Sequence, residues 1–156
     1  MSYITLYKVP EIGSVVKYTT VGNSWLGAFN IWSEMSLGYL NRQINMLHLS
    51  KMQDVWDLCK SENVPYLDRL VMASTLDYAM VKVENIPTLL LAMEGFCERF
   101  KPGNLPDQIV SLREIYSDGD CFAVCWQQTS VSQSLWEGYD FSKDTRHWFL
   151  FEEVVE

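Results

Sequence analysis

The stretch NLPDQIVSLREIYSDGDCFAVCWQQ, residues 104–128, contains both kinds of regular structure. Ile109, Leu112 and Ile115 or Tyr116 recur at the spacing of one apolar helix face, so a helix is predicted from Asn104 to about Tyr116. Ser117-Asp118-Gly119-Asp120 is turn chemistry. Cys121–Gln128 then runs apolar on successive residues and reads as a buried strand.

Upstream, Asn85-Ile86-Pro87 opens another helix, with proline tolerated in the first turn. Leu89, Met93, Phe96 and Phe100 line one of its faces, and Pro102-Gly103 stops it. Leu76–Val83 alternates like a strand but could equally prolong a short helix running from Pro65 to Ser74. Ser50-Lys51-Met52-Gln53 matches a capping box, and Met52, Val55, Trp56 and Cys59 continue at helical spacing, which predicts a helix over Lys51–Glu62. Trp25 to Asn41 is the most apolar helical candidate, with Trp25, Phe29, Trp32, Ser36 and Tyr39 on one face. Tyr3–Tyr7 and Ser14–Val21 are rich in Val, Ile, Thr and Tyr and are parted by Pro10 and Gly13, so they read as two short strands.

Downstream, Thr129–Lys143 is expected to be a long loop, and His147–Val155 the last strand. Helices and strands interleave without a strict βα repeat. The expected fold class is therefore α+β: a single compact domain over residues 1–156, about five helices packed on a small, mostly antiparallel sheet.

Hydrophobic residues make up 48% of the 156, which suits a globular core and argues against disorder. No run approaches the roughly 20 apolar residues that span a bilayer. The opening residues lack a basic region followed by an apolar stretch. With no export signal, Cys59, Cys97, Cys121 and Cys125 are expected to be reduced thiols, and the expected location is cytoplasmic.

The net charge of −8 is unevenly spread: from Leu105 onward ten acids face three bases, a balance of −7. That excess argues against direct nucleic-acid binding, where a basic footprint is expected. A basic protein partner remains open.

Sites for chemistry are sparse. Neither G-x-x-x-x-G-K-[ST] nor G-x-G-x-x-G occurs, so the two common phosphate cradles are not encoded. Cys121, Cys125 and His147 invite a zinc reading, but on a strand the two sulfurs stand about 13 Å apart, too far for one ion. Cys125 and His147, oriented by Asp144 or Glu152, are the residue types of a nucleophile and its base, though no motif surrounds them. Asp118-Gly119-Asp120 lacks the further ligands of a calcium loop. Ser130, Ser132 and Ser134 lack the Gly-x-Ser-x-Gly elbow, and His48 sits between leucines as structural histidines do. No metal or other cofactor is implied.

One segment, Ser134–Trp148, mixes Trp136, Tyr139, Phe141 and Trp148 with Glu137, Asp140 and Asp144. Aromatic anchors ringed by charge describe many protein interfaces; the competing reading is a loop folding its aromatics onto the core. The candidate contact residues are Trp136, Glu137, Tyr139, Asp140, Asp144, Trp148, Glu152 and Glu153. The function expected is a small acidic interaction module, of the inhibitor or immunity type, that neutralises a partner with a basic surface. Its rivals are a hydrolase or transferase using Cys125 and His147, and a structural subunit of a homo-oligomer.

Overall fold

A computed structural model describes residues 2–23, 27–40, 52–100, 102–127 and 134–156. Five strands form one sheet, β1 (Ser2–Val9), β2 (Val16–Asn23), β3 (Ala79–Lys82), β4 (Ala123–Gln127) and β5 (Trp148–Phe149), in the spatial order β2-β1-β4-β3-β5. Three neighbouring pairs are antiparallel, and only β3 with β5 runs parallel. Among the described residues six α-helices accompany it: α1 (Gly27–Leu40), α2 (Met52–Cys59), α3 (Tyr66–Ala73), α4 (Ile86–Arg99), α5 (Leu105–Asp118) and the short α6 (Leu150–Glu153). The fold is α+β.

The strand period of two sorts the sheet into two apolar faces. Ile4 and Leu6 of β1, Ala79 and Val81 of β3, and Val124 and Trp126 of β4 face the helices, in a core completed by residues such as Met35, Leu70, Leu89, Met93, Phe96 and Leu112. Tyr7, Val9, Met80, Ala123 and Cys125 point the other way. That second face is roofed by the loop after β4, whose Trp136 and Tyr139 are buried among them.

Local hydrogen bonds fix the roof. The Trp136 indole Nε1 donates to the Trp126 carbonyl at 3.0 Å, and Leu135 N donates to Gln127 Oε1 at 3.0 Å. Val15 N donates to the Tyr139 carbonyl at 2.8 Å, and the Tyr7 and Ser134 hydroxyls meet at 2.7 Å.

On the helical side one polar knot joins three helices. Asp68 of α3 is buried, and its carboxylate accepts a forked pair of bonds from Arg99 of α4 and one at 2.5 Å from the Tyr39 hydroxyl of α1. Burial alone would raise the Asp68 pKa, but Arg99 and Tyr39 outweigh it and hold the carboxyl below its ordinary range.

The expected final strand over His147–Val155 is corrected: it pairs only over Trp148–Phe149 and then turns into α6. The alternation of Trp148, Leu150 and Val154 inside suits either conformation, and Leu150 and Val154 reach the core from a helical turn. The ambiguous Leu76–Val83 contains strand β3, entered at Tyr78 and followed by a 3-10 turn over Val83–Asn85. Trp25, His48, the Ser50 cap, Ser130 and Ser132 lie outside the described residues.

The two-faced sheet makes Trp136 part of the core. Trp136→Ala is expected to cost about 3–5 kcal/mol in chemical denaturation, the range for emptying a buried aromatic site. A change within about 0.5 kcal/mol, as at an open surface position, would contradict the roof.

Candidate functional site

The structure divides the eight expected contact residues into three groups. Trp136 and Tyr139 are core residues, 0% and 2% exposed, and are withdrawn from the expected contact surface. The reason is the second sheet face: Tyr7, Met80 and Cys125 would stand in water without those rings above them.

Asp140 and Asp144 hold a turn together. Asp144 Oδ2 accepts from Asp140 N at 3.0 Å, while Asp140 Oδ1 accepts from Ser142 N and from its hydroxyl. The serine bonds, with Lys143 nearby, keep the half-buried Asp140 carboxyl below its ordinary pKa. Glu137, Glu152 and Glu153 are exposed, and Trp148 is half-buried.

Trp148 is placed by two successive carbonyls. Its main-chain N donates to the Tyr78 carbonyl at 3.0 Å and its indole Nε1 to the Asp77 carbonyl at 2.8 Å. Tyr78 presents this geometry from a left-handed backbone, φ 62°, which non-glycine residues rarely adopt. Its ring is held by the edge of Trp136 and by the Arg146 guanidinium, 5.4 Å above it.

The outer face of Trp148 meets Trp56 of α2, with ring centroids 5.1 Å apart and planes at 55°. Gln53, Trp56 and Asp57 of α2, with Lys60 just past its end, face Trp148 and Glu153 across a shallow groove of about 400 Å³. Lys60 Nζ lies 5.4 Å from the Trp56 ring centre and 3.4 Å from Glu153 Oε2. A second depression of about 510 Å³ begins on the far side of that ion pair, between Glu62, Arg69, Val155 and Glu156.

Sequence reading missed the contribution of α2. Trp56 was assigned to the apolar stripe with Met52, Val55 and Cys59. The polar row Gln53, Asp57 and Lys60, at helical spacing beside Trp56, was the available signal.

The other candidates have structural employment. Cys125 is fully buried, and burial holds its thiol well above the ordinary pKa, so it stays protonated and is no thiolate nucleophile. His147 is occupied with Tyr139, whose hydroxyl lies 2.8 Å from Nδ1 and accepts from the His147 main-chain N at 2.9 Å. The Tyr139 hydroxyl donates to Nδ1 in one imidazole tautomer and accepts from it in the other, so the contact is kept in both. Asp118 and Asp120 grip Lys8 at 3.0 and 2.8 Å, across a turn closed by Gly119 at φ 59°. Among the described residues no group of three or more His, Cys, Asp or Glu is placed to hold a metal ion. Nor is any described helix long and apolar enough to cross a membrane.

No family model, no curated protein and no solved structure matches this chain.

Two outcomes test these assignments. In the native protein Cys125 is expected to resist a thiol reagent that modifies the half-buried Cys97 and Cys121, and all four thiols should react after denaturation. Cys125→Ser should cost about 1–3 kcal/mol through a poorly paired buried hydroxyl. Rapid native labelling of Cys125 would overturn its structural role.

His147 gives a pH dependence of definite sign. Burial lowers its pKa below 6.5, with Asp144 pulling weakly the other way. The unfolded chain therefore takes up the proton first as pH falls. The stability that neutral His147 contributes is complete above about pH 6.5 and declines below it until the folded value is passed. Thermal midpoints should fall between about pH 7 and pH 5, and less steeply in His147→Asn, which keeps an acceptor for Tyr139 without titrating. Equal slopes in the two proteins would rule out His147 as the source.

Proposed function

We propose that this chain is a small acidic interaction module that binds, and by binding neutralises, a protein with a basic surface. The observation that carries the reading is the β5–α6 edge. There Trp148 is held rigidly by two backbone carbonyls, and Glu152 and Glu153 follow it into solvent. A fixed aromatic ring beside exposed carboxylates has the composition of an interface anchor with a charged rim.

The charge balance supports the same polarity of partner, because most of the negative excess lies after Leu105. Part of that excess is spent internally, where Lys8 takes up Asp118 and Asp120. Among the described residues Glu152 pairs with Lys82 at 3.3 Å and Glu153 with Lys60 at 3.4 Å, and both glutamates are exposed. Ion pairs this open contribute little and exchange readily for others.

An immunity-type inhibitor that covers the cationic cleft of a nuclease is a protein of this kind. The four free thiols fit a reducing compartment such as the cytoplasm.

Capture of the partner from the native cell, followed by kinetics on the purified pair, tests the reading. The partner should be cationic at the contact, and the association rate should fall steeply as salt rises. Reversing Glu137, Glu152 and Glu153 to lysine should slow association at low salt with the fold retained. Asp140 and Asp144 are unsuitable for reversal because they close a turn. An acidic partner, or a rate indifferent to both salt and the reversals, would refute the proposal.

A further inference from the structure

We infer that Lys60 is an internal stand-in for a basic side chain of the partner, and that the groove between α2 and β5–α6 receives an extended, arginine- or lysine-bearing segment once Lys60 swings out. This deepens the function proposed above and rests on it.

The argument starts from what Lys60 touches. Its ammonium sits over the Trp56 ring and against the Glu153 carboxylate, which together make a recognition site for a cation: an aromatic face for attraction and an acid for charge. Asp57 and the flat amide of Gln53 complete the polar wall, and the two are already oriented by a mutual bond at 2.8 Å.

The occupant is weakly held. Lys60 and Glu153 are 55% and 45% exposed, and their contact is a single long one. Pairs of that kind are worth about 0–1 kcal/mol, so the ammonium leaves at small cost. A guanidinium is better suited to the position, because it is flat, stacks on an indole and offers a fork to the carboxylate.

Position adds a second point. Lys60 and Glu153 line both depressions and form the partition between them. With Lys60 rotated outward the two join into one trough whose acids are Asp57, Glu62, Glu153 and Glu156. The remaining base is Arg69, which is 7% exposed and bonded to the Val64 and Val155 carbonyls; its charge offsets one of the four acids and the trough stays acidic. A trough with four acids and one occupied base fits an extended segment carrying more than one positive side chain. An acidic or neutral segment would leave those carboxylates unpaired.

The probes are three short peptides of one length, containing two arginines, two glutamates or two citrullines in the same glycine frame. Binding is read from the indole N–H signals of Trp56 and Trp148 by NMR, assigned through Trp56→Phe and Trp148→Phe. The arginine peptide should shift both signals, and the glutamate and citrulline peptides should not. Lys60→Gln, at an exposed position that leaves the fold intact, should tighten the arginine peptide roughly two- to fivefold, the equivalent of releasing one exposed ion pair. Asp57→Asn and Glu153→Gln should weaken it.

If Lys60→Gln leaves affinity unchanged or lowers it, Lys60 is not a stand-in and the inference is overturned. The same follows if the citrulline peptide binds as well as the arginine peptide. The captured partner then separates the two proposals. Binding that responds to the Glu137, Glu152 and Glu153 reversals but not to Lys60→Gln or Asp57→Asn retains the interaction module and removes the groove. Binding indifferent to every one of these substitutions removes both.

Discussion

β4 has no side that faces water. All five of its residues are buried, because the strand lies in the middle of the sheet with helices on one face and the returning loop on the other. Everything else follows from covering both sides of this strip. Trp126 points into the helical layer and bonds the Ser74 carbonyl at 2.6 Å, tying α3 to the sheet, while its own carbonyl receives the Trp136 indole from the opposite layer. One residue thus pins both coverings, and the buried polar Gln127 beside it accepts Leu135 N from the loop.

The positions of α4 and α5 were legible in the sequence because each has a long apolar period and a punctuating proline and glycine. The α4 face of Leu89, Met93 and Phe96 and the α5 face of Ile109, Leu112 and Ile115 are buried as their spacing requires. The continuous apolar run of β4 was also legible. What the run did not disclose was the identity of its second cover. A loop such as Ser134–Trp148 has no period, so nothing local says whether Trp136 and Tyr139 turn toward the sheet or toward water. That choice is made by the neighbours, Tyr7 and Val9 of β1 and Met80 of β3, which come from far away in the sequence.

The candidate site was partly visible for the same reason. Trp148 and the α6 acids stood out by composition, whereas Trp56 lies on another helix and meets Trp148 only through the pairing of β5 with β3. Charge counts misled in a different way: Asp118 and Asp120 belong to the acidic third of the chain, yet they are matched by Lys8 on β1. Net charge along a sequence describes what must be balanced. Only the fold says which carboxylates are left to meet a partner.

The order of strands has a further consequence for how this protein is made. The β1–β2 hairpin is synthesised before β4, but the side of β1 away from β2 is destined for β4, with Thr5 opposite Gln127 and Val9 opposite Ala123. Until that late segment emerges, β1 carries a row of unpaired backbone groups and apolar side chains on both faces. Such an edge is a template for pairing with another chain. Closing it demands contacts between distant segments, which form slowly. The nascent protein therefore passes through a period in which its first strand is open to association, and rapid synthesis or crowding of unfinished chains would lengthen that exposure for the population as a whole.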